Sequence, residues 1–326
     1  MSALLEVQDL QAGYPQRKKT DVAAVRGVSF SLDNGEILGV IGESGSGKSS
    51  LASALIASMR GNGKISGGAI LLNGENLLEK NSKALRNVRG ARIAMVFQEP
   101  ALALHPTKKI GQQVEEVLRA HTQTKREERR SRVQEALRAV FGDEAEQMAG
   151  RYPHEMSGGQ KQRAVIAQAI VCRPPVIVAD ECTAALDTVT QRGILELFRE
   201  LRTKLGMAMV FITHNPALLA GFADRVMVLY LGKIVEMGRT EDVLRSPRHP
   251  YTKLLLQCAP KLGDLDGERA KRLPTIPAGD REIGAIDAGC SFAPRCPQKM
   301  EMCERQNPPV TLEGNAHEAA CFLCGS

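Results

Sequence analysis

The stretch Gly42-Glu43-Ser44-Gly45-Ser46-Gly47-Lys48-Ser49-Ser50 decides how this chain folds. It fits the phosphate-loop pattern, and its flanks are those the pattern requires. Ile37-Leu-Gly-Val-Ile41 precedes it, a continuous apolar run that predicts a buried parallel strand. A helix is expected from about Ser49 to Met59. Glycines let consecutive backbone N–H groups curl around phosphate oxygens, and the following helix turns its positive end toward them. Lys48 supplies a point charge for the β- and γ-phosphates, and the Ser49 hydroxyl a ligand for Mg²⁺.

Outward from the loop, strands and helices alternate. Val28–Leu32, Ile93–Phe97, Val176–Ala179, Met207–Ile212 and Val226–Leu231 read as strands, and Asn73-Gly74 as a hairpin turn. From about 99 to 172 the pattern turns helical, with helical spacing over Ile110–His121 and Lys125–Phe141. The expectation is an α/β core with a helical insertion. After about Pro247 the composition shifts toward Pro, Gly and charge, read as a linker over 260–289 leading to a small Cys-bearing tail.

The chain has 326 residues, a net charge of +6 and no Trp. The excess is too diffuse to indicate nucleic acid. No apolar run approaches the ~20 residues of a spanning helix, and the N-terminus lacks a signal pattern. The expected place is the cytosol, with any membrane contact through a partner.

Pro175-Val-Ile-Val-Ala-Asp180-Glu181 supplies the second half of a phosphate-transfer site. Its strand delivers Asp180 to the Mg²⁺ shell, and Glu181 follows as general base for the attacking water. Met156-Ser157-Gly158-Gly159-Gln160-Lys161-Gln162-Arg163 reads as a helix start. Ser157 is the N-cap, Gln160 closes a capping box, and Gly158 and Gly159 bare backbone N–H groups at a positive helix end.

In this order and spacing, the three stretches resemble the ABC ATPase family. Ser157–Gln160 is similar to the family's signature motif, Gln98 to the Q-loop glutamine that contacts Mg²⁺ and couples to membrane subunits, and Ala185-Leu186-Asp187 to the D-loop. His214 resembles the switch histidine at the γ-phosphate, and Tyr14 the aromatic that stacks on adenine. The resemblance implies a P-loop ABC ATPase core with an N-terminal antiparallel β part and a helical subdomain. ATP would be bound by Gly42 to Ser50 of one subunit and Ser157 to Gln160 of another, in a head-to-tail dimer. Two positions depart from the pattern: Cys182 stands where Pro is usual after the catalytic Glu, and Asn215 where Asp is usual after the switch His. The first is expected to loosen the loop carrying Glu181 and to slow turnover.

Arg248-His-Pro-Tyr-Thr-Lys-Leu-Leu255 and Cys290-Ser-Phe-Ala-Pro-Arg-Cys296-Pro297, followed by Cys303 and Cys321, resemble the C-terminal extension of oligopeptide/dipeptide-type importer ATPases, a group that also serves nickel and metallophore uptake. The implied division is an ATPase domain over 1–246 and an extension over 247–326. Five of the eight Cys crowd the last 37 residues, which in a reducing cytosol suggests metal ligands before disulfides. The residues alone leave zinc or an iron–sulfur cluster open. The gaps between Cys290, Cys296 and Cys303 suit zinc poorly, whereas Cys321 and Cys324 form a zinc-like pair. The resemblance implies a 4Fe–4S cluster on Cys290, Cys296, Cys303 and Cys321, with Cys324 spare. It further implies a second ATPase subunit, two membrane permeases and an extracytoplasmic solute-binding protein, at the cytoplasmic face of the inner membrane. The alternatives are a nickel or metallophore importer, a soluble ABC ATPase of repair or translation, and an ATPase-dead regulatory subunit. The short interval between Gln98 and Ser157, the single cassette and the intact Lys48, Asp180, Glu181 and His214 speak against the last two.

Overall fold

The computed structural model describes residues 3–16, 21–258, 276–277, 289–313 and 316–324. The linker expected over 260–289 lies almost wholly outside them. The strands run in chain order as β1 (Leu5–Tyr14), β2 (Val22–Leu32), β3 (Ile37–Ile41), β4 (Lys64–Leu72), β5 (Glu75–Asn76), β6 (Ile93–Val96), β7 (Val176–Asp180), β8 (Ala208–Ile212), β9 (Arg225–Tyr230), β10 (Lys233–Arg239), β11 (Val310–Glu313) and β12 (His317–Ala320). They form a four-stranded sheet in the order β2-β1-β4-β5 and an eight-stranded sheet in the order β11-β12-β10-β9-β3-β8-β7-β6.

The four-stranded sheet is antiparallel. Along β1, Leu5, Val7, Leu10 and Ala12 are buried, so the alternation slips by one residue between Val7 and Leu10. A bulge there, with Asp9 at φ 43°, absorbs the slip and keeps the apolar residues on one face. The bulge breaks the period-two signal, which is why β1 is hard to see in the sequence.

The middle of the larger sheet, β9-β3-β8-β7-β6, is parallel. Every residue of β3, β7 and β8 is buried, which accounts for their unbroken apolar runs. Successive residues still point to opposite faces. Ile37, Ile41, Ile177, Ala179, Met209 and Phe211 face one core, with the helix Thr188–Leu205 and the helical insertion. Leu38, Val40, Val176, Val178, Val210 and Ile212 face the other, with the four-stranded sheet and the helix Lys48–Leu55. Buried on both sides, the parallel sheet is the rigid frame on which the loops at its carboxyl edge are mounted.

The helical insertion lies between β6 and β7 and holds helices Ile110–His121, Arg126–Phe141, Ala145–Gly150 and Gly158–Ile170. The first two agree closely with the sequence expectation. The helix after the phosphate loop is shorter than expected, ending at Leu55, where Ala57 takes a left-handed conformation at φ 50°. The tail differs more. The sequence predicts a small unit beyond a linker, but β12 pairs antiparallel with β10 and β11 with β12, so it extends the core sheet. Too polar to bury its own interior, it borrows the edge of a sheet already formed. A buried polar cluster ties the two together: Glu236 accepts from His317 Nε2 at 2.7 Å and from the backbone N–H groups of Arg248 at 2.8 Å and His249 at 3.0 Å.

Candidate nucleotide site

Four loops meet at the carboxyl edge of the parallel sheet. β3 runs into the phosphate loop, β7 ends at Asp180, β8 leads to Thr213 and His214, and β6 leads to Gln98. Because β3, β8, β7 and β6 are neighbours, residues far apart in the chain share one edge.

Gly47 caps the helix Lys48–Leu55 at φ 103°, and a Cβ there would stand 2.2 Å from the Ala24 carbonyl oxygen. Only glycine lets the loop turn so close to the neighbouring backbone. Lys48 is buried, and its Nζ donates to the Gly42 and Glu43 carbonyls, each at 2.9 Å. Burial lowers its pKa, and the nearby Glu181 and Asp180 charges oppose that shift.

Ser49 Oγ donates to Asp180 Oδ1 at 3.1 Å. Asp180 is fully buried, and among the described residues its Oδ2 has no hydrogen-bond partner. Burial raises its pKa, with the Ser49 bond acting the other way. A hydroxyl and a desolvated carboxylate with a spare oxygen are a donor set suited to Mg²⁺.

Glu181 follows at φ 45°, a conformation uncommon for a non-glycine residue and frequent at functional sites. Its N–H donates to the Ile212 carbonyl at 3.0 Å, which fastens it to β8. Its carboxylate lies between Lys48 Nζ, 3.8 Å from Oε1, and His214 Nδ1, 3.4 Å from Oε2. The loop beyond is not loose despite Cys182. Ala184 N–H donates to the Glu181 carbonyl at 3.0 Å, and Gln191 Nε2 to the Thr183 carbonyl at 2.8 Å. Cys182 is buried, with its thiol pushed up to about 12, so it acts as an inert packing group.

Tyr14, at the end of β1, has its hydroxyl 3.3 Å from Ser50 Oγ and so adjoins the phosphate-loop helix. Gln98 is exposed, two residues past β6, on the same sheet edge as Asp180. Ser157 to Gln160 stand apart, in the insertion. The expected capping box is present: Ser157 Oγ accepts from Gln160 N–H at 3.3 Å, and Gln160 Oε1 from Ser157 N–H at 3.0 Å. Ser157 and Gly158 are exposed, and the D-loop lies alongside, Leu186 Cδ2 being 3.7 Å from where a Gly158 Cβ would sit.

Cys290, Cys296, Cys303 and Cys321 line one small cavity with Phe292 and Pro308. The backbone N–H of Cys290 donates to the Cys303 carbonyl at 2.7 Å. Burial raises the pKa of Cys290, Cys296 and Cys321. Among the described residues, no three His, Cys, Asp or Glu side chains form a group placed to hold a metal ion. Cys303 and Cys321 are buried and Cys290 and Cys296 half-buried, and four thiols on one cavity are a donor set suited to a four-thiolate group.

The sequence reading did not find what restrains the phosphate loop from outside. The Glu43 N–H donates to the Tyr251 hydroxyl at 2.8 Å, and Arg295 pairs with the Glu43 carboxylate. Both partners lie in stretches already marked by their motifs, but nothing in either stretch names its target.

A phosphate-binding loop, an acidic pair at the end of a second strand of the same parallel sheet and a separate capped helix define an ABC-type ATPase. The ABC transporter family model matches residues 25–184, and the model for the oligopeptide/dipeptide transporter C-terminal region matches 235–303. The chain is 39% identical to the dipeptide transport ATP-binding protein DppD of Bacillus subtilis over 324 residues, covering 99% of this chain and 95% of the relative. It is 40% identical to the oligopeptide transport ATP-binding protein OppD of Escherichia coli over 320 residues, covering 98% and 93%. A solved dimeric ATP-binding cassette in a post-hydrolysis state with ADP and phosphate superposes with a TM-score of 0.64, at 28% identity over 72% of this chain and 98% of that one. The chain belongs to the ATP-binding subunits of oligopeptide/dipeptide ABC transporters, and it is an ATPase coupled to transport.

Proposed function

We propose that this chain hydrolyses ATP to drive import of di- or oligopeptides. The carrying observation is the meeting of Lys48, Ser49, Asp180, Glu181 and His214 at one sheet edge, with an unpartnered carboxylate oxygen on Asp180. Lys48 and the loop N–H groups hold the β- and γ-phosphates. Ser49 and Asp180 would hold Mg²⁺, with Gln98 on the same sheet edge, and the ion would supply charge neutralisation to the transferring phosphoryl group. Glu181 takes a proton from the attacking water, and His214 orients Glu181 and meets the γ-phosphate. Tyr14 stacks on the adenine. Ser157 to Gln160, on the helical insertion rather than at the sheet edge, cap the nucleotide of a second ATPase subunit.

Among the described residues no helix is long and apolar enough to cross a membrane. The proposed setting is the cytoplasmic face of the inner membrane, on two permease subunits fed by an extracytoplasmic binding protein. In proteoliposomes holding the assembled complex, peptide-loaded binding protein is expected to raise ATP hydrolysis. Stimulation by nickel chelates and not by peptides would overturn the peptide reading. In the same assay Ser157→Arg is expected to cut hydrolysis by ~10²-fold, the scale of losing an anion-stabilising donor, while the variant chain still binds ATP. Loss of ATP binding by that chain would point instead to a folding defect.

The C-terminal extension is proposed to hold a 4Fe–4S cluster on Cys290, Cys296, Cys303 and Cys321, in a structural role. Support comes from their common cavity, which gathers four thiol donors in one place. Anaerobically purified protein is expected to be brown, with about four iron and four sulfide per chain. Cys296→Ser should bleach it and expose the tail to protease while leaving ATP binding intact. Colourless anaerobic protein with stoichiometric zinc would refute the cluster.

A further inference from the structure

The C-terminal extension reaches back onto the phosphate loop. Arg295 sits in the turn Ala293–Arg295 and grips the Glu43 carboxylate with two bonds, Nη1 to Oε2 at 2.8 Å and Nη2 to Oε1 at 3.0 Å. The guanidinium is fixed from three further directions. Its Nε donates to the Pro277 carbonyl at 2.6 Å, its Nη1 to the Tyr230 hydroxyl at 3.3 Å, and its Cζ lies 5.8 Å from the centroid of the Tyr230 ring. Phe292, in the same segment, packs against Tyr230 and Tyr251 with ring centroids 5.2 Å and 5.4 Å away. The buried Tyr251 in turn accepts the Glu43 N–H. Glu43 is thus held by its backbone and by its side chain, both from beyond the core. Its carbonyl is one of the two that anchor Lys48.

A carboxylate is out of place in a loop built to bind a polyanion. Glu43 is the acidic residue of the stretch Gly42–Ser49, and its charge acts on Lys48. A bidentate guanidinium cancels that charge and fixes its direction, which a lysine's point charge does less well.

We propose that Arg295 is a positioning residue for nucleotide binding: it neutralises Glu43 and steadies the peptide that anchors Lys48, so the C-terminal extension sets the ATP affinity of the core. This rests on the phosphate loop being the ATP cradle. If the pair merely fastened the tail to the core, ATP affinity would not depend on whether Glu43 carries a charge.

The test is calorimetric titration of the full chain with ATP, for Glu43→Gln and for Arg295→Met and Arg295→Lys, each made in both the wild-type and the Glu43→Gln background. Arg295→Met, which leaves a carboxylate facing the triphosphate, is expected to weaken binding about tenfold. In the Glu43→Gln background the same substitution should cost less than about twofold, because no charge is left to cancel. Arg295→Lys keeps the charge without the fork and should fall between wild type and Arg295→Met. Equal weakening in both backgrounds, or affinity within about twofold of wild type for Arg295→Met, would overturn the proposal. If Arg295→Met frees the tail to protease, Arg295→Lys compared in the two backgrounds decides the matter by the same rule. Lys48→Ala, run alongside, separates the two possible failures. If it leaves binding intact, the cradle reading falls and the proposal with it. If it abolishes binding while Arg295→Met does nothing, the proposal alone falls.

Discussion

Lys48→Ala is expected to abolish measurable ATP binding. Lys48 Nζ is buried, 3.8 Å from Glu181 Oε1, at the head of the loop helix. Charge-assisted bonds of the kind it would make to the β- and γ-phosphates contribute about 1.5–3 kcal/mol each. Losing two of them weakens binding by at least ~10²-fold, at about 1.4 kcal/mol per tenfold. The electrostatic setting adds to this. Without Lys48, Asp180 and Glu181 face the incoming triphosphate with no buried cation between them. The substitution also removes the bonds to the Gly42 and Glu43 carbonyls, so the loop loses its inner brace as well as its charge. Calorimetry on the purified chain reads the effect, and thermal unfolding without nucleotide shows whether the fold has survived. Unchanged ATP affinity would remove the loop from the nucleotide site.

Glu181→Gln is expected to separate binding from chemistry. The side chain keeps its size and its place between Lys48 and His214 but no longer accepts a proton. Loss of a general base costs ~10²-fold or more in rate. ATP should still bind, because the phosphate contacts of Lys48 and the loop N–H groups are untouched, and relief of the charge beside Lys48 favours the triphosphate. The ATP-bound variant should therefore persist as a closed pair of subunits, seen as an ATP-dependent rise in mass by light scattering. Phosphate release by the assembled transporter measures the rate. Hydrolysis at the wild-type rate would show that Glu181 is not the base. The backbone supports the assignment. A residue held at φ 45° and tied to β8 through its N–H is placed by its neighbours rather than by its own preference, as a positioned catalytic group should be.

Much of the core and most of the candidate site were legible in the sequence because they are encoded locally. The strands β3, β7 and β8 announce themselves as unbroken apolar runs because both of their faces are buried. The phosphate loop is legible because its backbone path tolerates only glycine at positions such as Gly47. The signature helix is legible because a capping box spans four residues and reads itself. The acidic pair Asp180-Glu181 gained meaning from the loop upstream, and the fold brings Asp180 to Ser49 as that reading requires.

What only the tertiary structure decided are pairings whose partners carry no shared local signal. β1 hides behind a bulge, because a one-residue slip erases the alternation that would reveal it. β11 and β12 are short and polar, and they are strands only because the edge of β10 is there to receive them. The same holds for Arg295 and Glu43, 252 positions apart. Each sits in a recognisable motif, but a charge names no partner until the chain has folded. Local period and loop chemistry thus determined the cassette and its candidate nucleotide site. The docking of the C-terminal extension onto that site came from long-range packing: an aromatic cluster of Tyr230, Tyr251 and Phe292 that carries the guanidinium of Arg295 to the Glu43 carboxylate of the phosphate loop.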